Sequence, residues 1–227
     1  MNRSHAIRIG DISTRWSCVA DVNRFTLRYA PAMLTYLEAI LRDSDVARDV
    51  LQDFLVKILE RGFADREGKA GRFRDYLTVA VRNSALSYFR SRRSTSLAPE
   101  LLDSLASPSE NDERWKQSWT ECLLQRAWRA LEDYQEKTSG NRYFAILRLS
   151  TDQPSLSSQE AAAILAEKGM PLSADAFRQQ LRRARIQFAQ FLVQEVQETL
   201  DVQTRSEVVD ELRSLGLMPY VRPFLER

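Results

Sequence analysis

Glycine and proline are scarce, at seven residues each in a chain of 227. Long-chain helix formers dominate in their place, so the composition leans all-helical. The two cysteines, Cys18 and Cys122, lie far apart and lack metal-ligand spacing. That excludes a cysteine-built metal site, makes a structural disulfide unexpected, and points to a reducing, cytoplasmic setting. The one histidine, His5, sits in a loose N-terminal stretch. No phosphate-binding glycine loop is present, and no histidine, cysteine or carboxylate set has metal spacing. The expectation is therefore no catalytic residue, no metal, no cofactor and no enzyme. Residues 1–14 lack an apolar signal core, and no run is long enough to span a bilayer, so a soluble protein without membrane insertion is expected.

What is present is enough to build cores: 44% of the residues are hydrophobic. Charged residues reach 28%, yet 33 basic and 31 acidic side chains leave a net charge of only +2. The total therefore says little about partners, and the distribution has to carry the reading.

The apolar spacing predicts helices over 16–41, 45–61 and 72–92. The first carries Phe25, Tyr29, Met33, Leu37 and Ile40 on one face, with Pro31 at an end or a kink. The second carries Val46, Val50, Leu51, Phe54, Leu55, Ile58 and Leu59, and Gly62 ends it. The third is built on Phe73, Leu77, Ala80, Val81 and Tyr88. From Ser94 to Glu113 the chain holds five acids and no lysine or arginine, with Pro99, Pro108 and several serines. It reads as a linker, either unstructured or with a short helix near 100–105. Helices resume over 113–134, 143–149, 157–168 and 174–200, with a turn at 169–173. Val208, Val209, Leu212 and Leu215 predict one more.

Three segments stand out. In the first, residues 157–193, Ser157 or Ser158 suits a helix cap, Gly169 a left-handed stop, and Ser173 the cap of a second helix. That second helix repeats Phe177, Leu181, Ala184, Phe188 and Phe191 at steps of three and four. Between them stand Arg178, Gln179, Arg182, Arg183, Arg185 and Gln187. Two helices across a short glycine turn, the second rich in arginine and glutamine, read as a DNA-binding helix-turn-helix. Arginine suits phosphates and guanine edges, and glutamine suits adenine edges. The same pattern is also that of an amphipathic helix with a solvated basic face.

The second segment, 72–93, sets Arg72, Arg74, Arg82, Arg90, Arg92 and Arg93 against the single acid Asp75, with Phe73, Tyr76, Tyr88 and Phe89 interleaved. Basic groups track phosphates and rings stack on unpaired bases. Some of those rings equally suit a core, and the basic end equally suits a helix dipole. The third segment is the polar face of the second helix, Asp49, Gln52, Asp53 and Lys57, which alone reads as solvated surface.

Together the three resemble the extracytoplasmic-function sigma factors of bacterial RNA polymerase. DVLQDFLVKIL at 49–59 is similar to the family's region-two helix, which implies that Asp49, Gln52, Asp53 and Lys57 bind the polymerase beta-prime clamp. FRDYLTVAVRNSALSYFR at 73–90 is similar to the family's F-x-x-W-L-x-x-I-A-R-N-x-A-x-D-x-x-R, with Tyr76 in the tryptophan position. The resemblance implies minus-ten reading and DNA melting by Arg72, Arg74, Tyr76, Arg82, Asn83, Tyr88, Arg90, Arg92 and Arg93. ADAFRQQLRRAR at 174–185 is similar to the region-four recognition helix, which implies minus-thirty-five reading by Ser173, Arg178, Gln179, Arg182, Arg183 and Arg185. The opening TRWS at 14–17 resembles one subgroup.

The resemblance implies an all-α chain of two small helical domains. Residues 15–93 would be sigma region 2, 94–112 a flexible acidic linker, 113–195 the region 4 helix-turn-helix, and 196–227 a helical C-terminal extension. The implied partners are core RNA polymerase, through the beta-prime clamp and the beta flap, and promoter DNA. An anti-sigma factor or a regulatory kinase is a further partner class that the resemblance allows. Three features depart from the family pattern: a lengthened turn before Ser173, Phe177 in place of a small branched residue, and the tail from Gln197 to Arg227. Two other readings stand beside it, a stand-alone helix-turn-helix regulator and a sigma-like adaptor without promoter activity.

Overall fold

A computed structural model describes residues 22–61, 73–91, 108–200 and 204–225. Among them the chain is all helical, in the order α1 (Val22–Leu41), α2 (Ser44–Arg61), α3 (Phe73–Ser91), α4 (Pro108–Lys137), α5 (Tyr143–Asp152), α6 (Ser158–Glu167), α7 (Ala174–Gln197), α8 (Arg205–Ser214) and α9 (Met218–Leu225). The N-terminal TRWS stretch, the loop after α2 and most of the expected linker lie outside the described residues.

The chain divides into two compact units, one of Met1–Cys122 with Glu198–Glu207, the other of Leu123–Gln197 with Val208–Arg227. In the first, α1 packs on α2, and α3 packs on both. Arg42 ends α1 in the left-handed region, at φ 54, where the chain more often uses glycine. Asp43 then caps α2: its Oδ1 accepts from the backbone N–H of Asp45 and of Val46, each at 3.0 Å. The two apolar stripes meet as their spacing predicts, with Met33, Leu37, Ile40, Val50, Phe54 and Ile58 buried. Pro31 lies inside α1 rather than at its end. Leu59 was expected in the α2 stripe but stands 61% exposed.

The first compact unit runs on past residue 113 as far as Cys122, and the second begins at Leu123. Rings are the reason. Trp119 stacks on Tyr29 at 5.3 Å between centroids, and Trp115 meets Tyr36 edge-on at 5.3 Å. Arg114 also donates to the Ala39 carbonyl at 3.0 Å. Aromatic pairs of this kind bury large apolar area, so the start of α4 completes the core of the first unit. Residues 108–112, taken from sequence as the linker's end, open that helix.

The second unit is built on α7, against which α5, α6 and α9 all pack. Trp128 holds Phe188 at 4.9 Å and Phe144 at 5.9 Å, and Arg126 pairs with Glu195 at 2.6 Å. The tail is helical and joins this unit through Val208, Leu212, Leu217 and Val221, all buried. Its first residues belong to the other unit, where Glu198 pairs with the buried Arg28.

Candidate functional site

Two separate faces carry the residues singled out by sequence, one in each unit. The first begins on α2. Residues 49, 52, 53 and 57 fall three, one and four apart, so they share one side of a helix. The structure leaves Asp49, Gln52, Asp53 and Lys57 all exposed. Val56, at 43% exposed, and Leu59 stand beside them. The face is thus acidic and amide-bearing with an apolar margin that periodicity had assigned, in part, to the core.

The neighbouring helix α3 sorts its nine predicted residues. Arg72, Arg92 and Arg93 lie outside the described residues. Asp75, Val79, Asn83, Ser87 and Arg90 form one exposed stripe, with Tyr76 and Arg82 half-buried at its flanks. Arg74 and Tyr88 fall on the opposite, inward side with Leu77, Val81 and Ala85. The Arg74 side chain is only 12% exposed and lies 3.5 Å from Asp75. Tyr88 is 6% exposed, and its hydroxyl donates to Asp49 Oδ2 at 3.0 Å. A ring so enclosed offers no open face for a base, so the stacking part expected of Tyr88 does not fit its position. Spacing carried the signal: 74, 77, 81, 85 and 88 is a helical core row. Tyr36, in the same unit, is pushed up to about 12 by burial, partly opposed by the Arg82 charge.

The second face is built in the other unit by α5, α6 and α7. Ser157 caps α6 with a reciprocal pair: its Oγ accepts from the Glu160 N–H, and the Glu160 carboxylate accepts from the Ser157 N–H. Hydrogen bonds to the carboxylate from the Ser157 side chain and backbone hold the Glu160 carboxyl below its ordinary value. Gly169, at φ +77, stops α6. Gly169 donates to Ala166 O at 3.0 Å and Met170 to Leu165 O at 2.8 Å, the paired bonds of a left-handed helix stop. Ser173 then caps α7 by accepting from the Ala176 N–H at 3.1 Å. Ile146, Leu149, Ala161, Ala162, Leu165 and Phe177 form the core beneath. Phe177, in place of a small branched residue, is itself buried in this core against residues of α5 and α6.

That core fixes which side of α7 faces out. Arg178, Gln179, Arg182, Arg183 and Arg185 are all exposed, while Ala184, Ile186 and Phe188 are buried. Residues 178, 182 and 185 make one row and 179 and 183 the next. Arg178 is paired with Asp175 on the first turn. The face is a two-row array of guanidinium and amide donors, suited to anionic backbone and to base edges. Ser173 spends its hydroxyl on the cap.

Among the described residues no group of histidine, cysteine, aspartate or glutamate side chains could hold a metal ion, and no helix is long and apolar enough to cross a membrane. No curated protein and no solved structure matches the chain. Residues 25–95 match the family described as Sigma-70 region 2, so the likeness to the sigma-70 family spans α2 and α3 and both of their exposed faces.

Proposed function

We propose that this protein is a sigma factor of the extracytoplasmic-function type, which binds core RNA polymerase and directs it to promoters. The observation that carries the reading is the α2 face: Asp49, Gln52, Asp53 and Lys57 stand exposed together, within the segment that matches Sigma-70 region 2. Acids and an amide on a rigid helix suit basic and polar groups of a partner helix pair, here the beta-prime clamp. The exposed stripe of α3 would meet the minus-ten element. Asn83 and Arg90, flanked by Tyr76 and Arg82, would engage bases and phosphates as the duplex opens, together with Arg72, Arg92 and Arg93, their neighbours in sequence.

The second unit would act as region 4. Its α7 array of Arg178, Gln179, Arg182, Arg183 and Arg185 would enter the major groove at the minus-thirty-five element, with Ser173 and Phe177 fixing the helix that presents them. Dividing contacts this way explains why one chain has both a donor array for duplex DNA and a basic, ring-bearing helix for melted DNA. Cytoplasmic residence follows from that role. A stand-alone regulator would need only the second unit.

Reconstitution tests it. The full chain with core polymerase is expected to start transcripts at defined promoters and to bind the isolated clamp helices. Tight sequence-specific duplex binding without polymerase, and no clamp binding, would favour the stand-alone regulator.

A further inference from the structure

The turn at 168–173 is where this chain is longer than the pattern it resembles, and a longer turn has more ways to aim the helix that follows. The structure holds it at three points. Met170 and Leu172 pack against the core of Ile146, Leu165 and Phe177. Between them Pro171 is exposed, and its carbonyl accepts a hydrogen bond from Arg142 Nη1 at 2.6 Å. Arg142 sits at the cap position of α5, yet its side chain makes no cap bond there. The guanidinium reaches instead to a turn 29 residues further along the chain.

The chemistry suits a clamp. A charged donor to a carbonyl is stronger than a neutral one, and the planar guanidinium fixes direction as well as distance. Ser173, the cap of α7, lies two residues beyond Pro171. Fixing that peptide therefore fixes the entry angle of α7 and the placement of Arg178, Gln179 and Arg182. We propose that Arg142 is a positioning residue for α7, aiming its arginine and glutamine face at base edges without itself touching a base. This rests on the reading of α7 as the duplex-reading helix. A contact set of this kind depends on support from the residues behind it.

The test uses the full chain assembled with core RNA polymerase. A randomised duplex library identifies the upstream sequence that the wild type enriches, and single-base variants of that duplex measure preference. Arg142→Ala is expected to reduce the preference about tenfold, as loss of one charge-assisted hydrogen bond would, with the salt dependence of binding unchanged. Arg142→Lys, which keeps a donor, is expected to recover part of it. Undiminished preference in Arg142→Ala overturns the proposal. So does an equal loss on every duplex with the salt slope reduced by about 1, which would make Arg142 a phosphate contact. Should circular dichroism show Arg142→Ala unfolded, Gly169→Ala strains the same turn and must show the same loss of preference. Full preference in that variant also overturns the proposal. A wild type that enriches no sequence removes the duplex-reading role of α7 and this proposal with it, whereas full preference in the variants alone leaves that role standing.

Discussion

The Tyr88 hydroxyl donates to Asp49 Oδ2 at 3.0 Å, tying the inward side of α3 to the outward acid row of α2. The ring is buried while Asp49 is exposed, so one bond joins the packing of the first unit to its most polar face. Removing the hydroxyl alone separates the two roles. Tyr88→Phe is expected to cost about 1 kcal/mol of stability and to weaken polymerase binding severalfold, with promoter preference unchanged. Tyr88→Ala opens a cavity and is expected to cost about 3–5 kcal/mol. Urea unfolding and a polymerase titration distinguish them. A Tyr88→Phe chain that binds polymerase normally but fails to open promoters would move the hydroxyl's part from polymerase binding to promoter opening.

The boundary between the units makes its own prediction. Trp119 stacks on Tyr29, and the start of α4 fills the first unit's core. Trp119→Ala is expected to destabilise the full chain by about 3–5 kcal/mol, read as a shift in the urea midpoint. A change under about 1 kcal/mol, the ordinary range for surface sites, would take the start of α4 out of the first unit's core.

Much of the architecture was legible from spacing because each helix buries one stripe. Residues 29, 33, 37 and 40, and 177, 184 and 188, are buried where the three-and-four pattern puts them. The two ends of α6 were legible from Ser157 and Gly169, whose chemistry acts within one turn of chain. What sequence could not place depends on distant partners. Acidic composition marked 94–113 as a linker, yet its last residues open α4; just beyond them, Trp115 and Trp119 are core because Tyr36 and Tyr29 lie opposite them. Tyr88 and Asn83 stand in one basic helix; the row of Leu77, Val81 and Tyr88 already turned the first inward, but its hydrogen bond to Asp49 on α2 shows only in the packing. Arg28 is buried, and the partner that makes this possible, Glu198, lies 170 residues further along the chain.

On α7, the predicted effects differ by residue. Arg182→Ala or Arg183→Ala is expected to cost about 1–3 kcal/mol on the preferred duplex if it removes a bidentate base contact. Arg185→Ala, one row step further along, is the comparison for a phosphate contact: an even loss across sequences and a salt slope smaller by about 1. Gel shift of the holoenzyme at several salt concentrations checks both.

The α6 cap predicts an acid limb in stability. Hydrogen bonds from the Ser157 side chain and backbone lower the Glu160 pKa from its ordinary 4.5. A depressed carboxylate stabilises the fold fully above its unfolded value, and the contribution is lost as pH falls through the folded one. Stability of the second unit is therefore expected to drop below about pH 4.5, the ordinary value. Glu160→Gln and Ser157→Ala should each flatten that drop, and thermal melts at stepped pH would show it.

The central claim is that the exposed row on α2 grips RNA polymerase. The most direct measurement is the affinity of the full chain for core polymerase after Asp53→Lys, with the melting temperature as control. Asp53 is exposed, so the fold should hold while its charge is reversed. The account predicts at least about a tenfold loss of affinity, as for a like charge placed in an interface, and a parallel loss of promoter-specific transcripts. Unchanged affinity and unchanged transcription in a folded Asp53→Lys chain would contradict it.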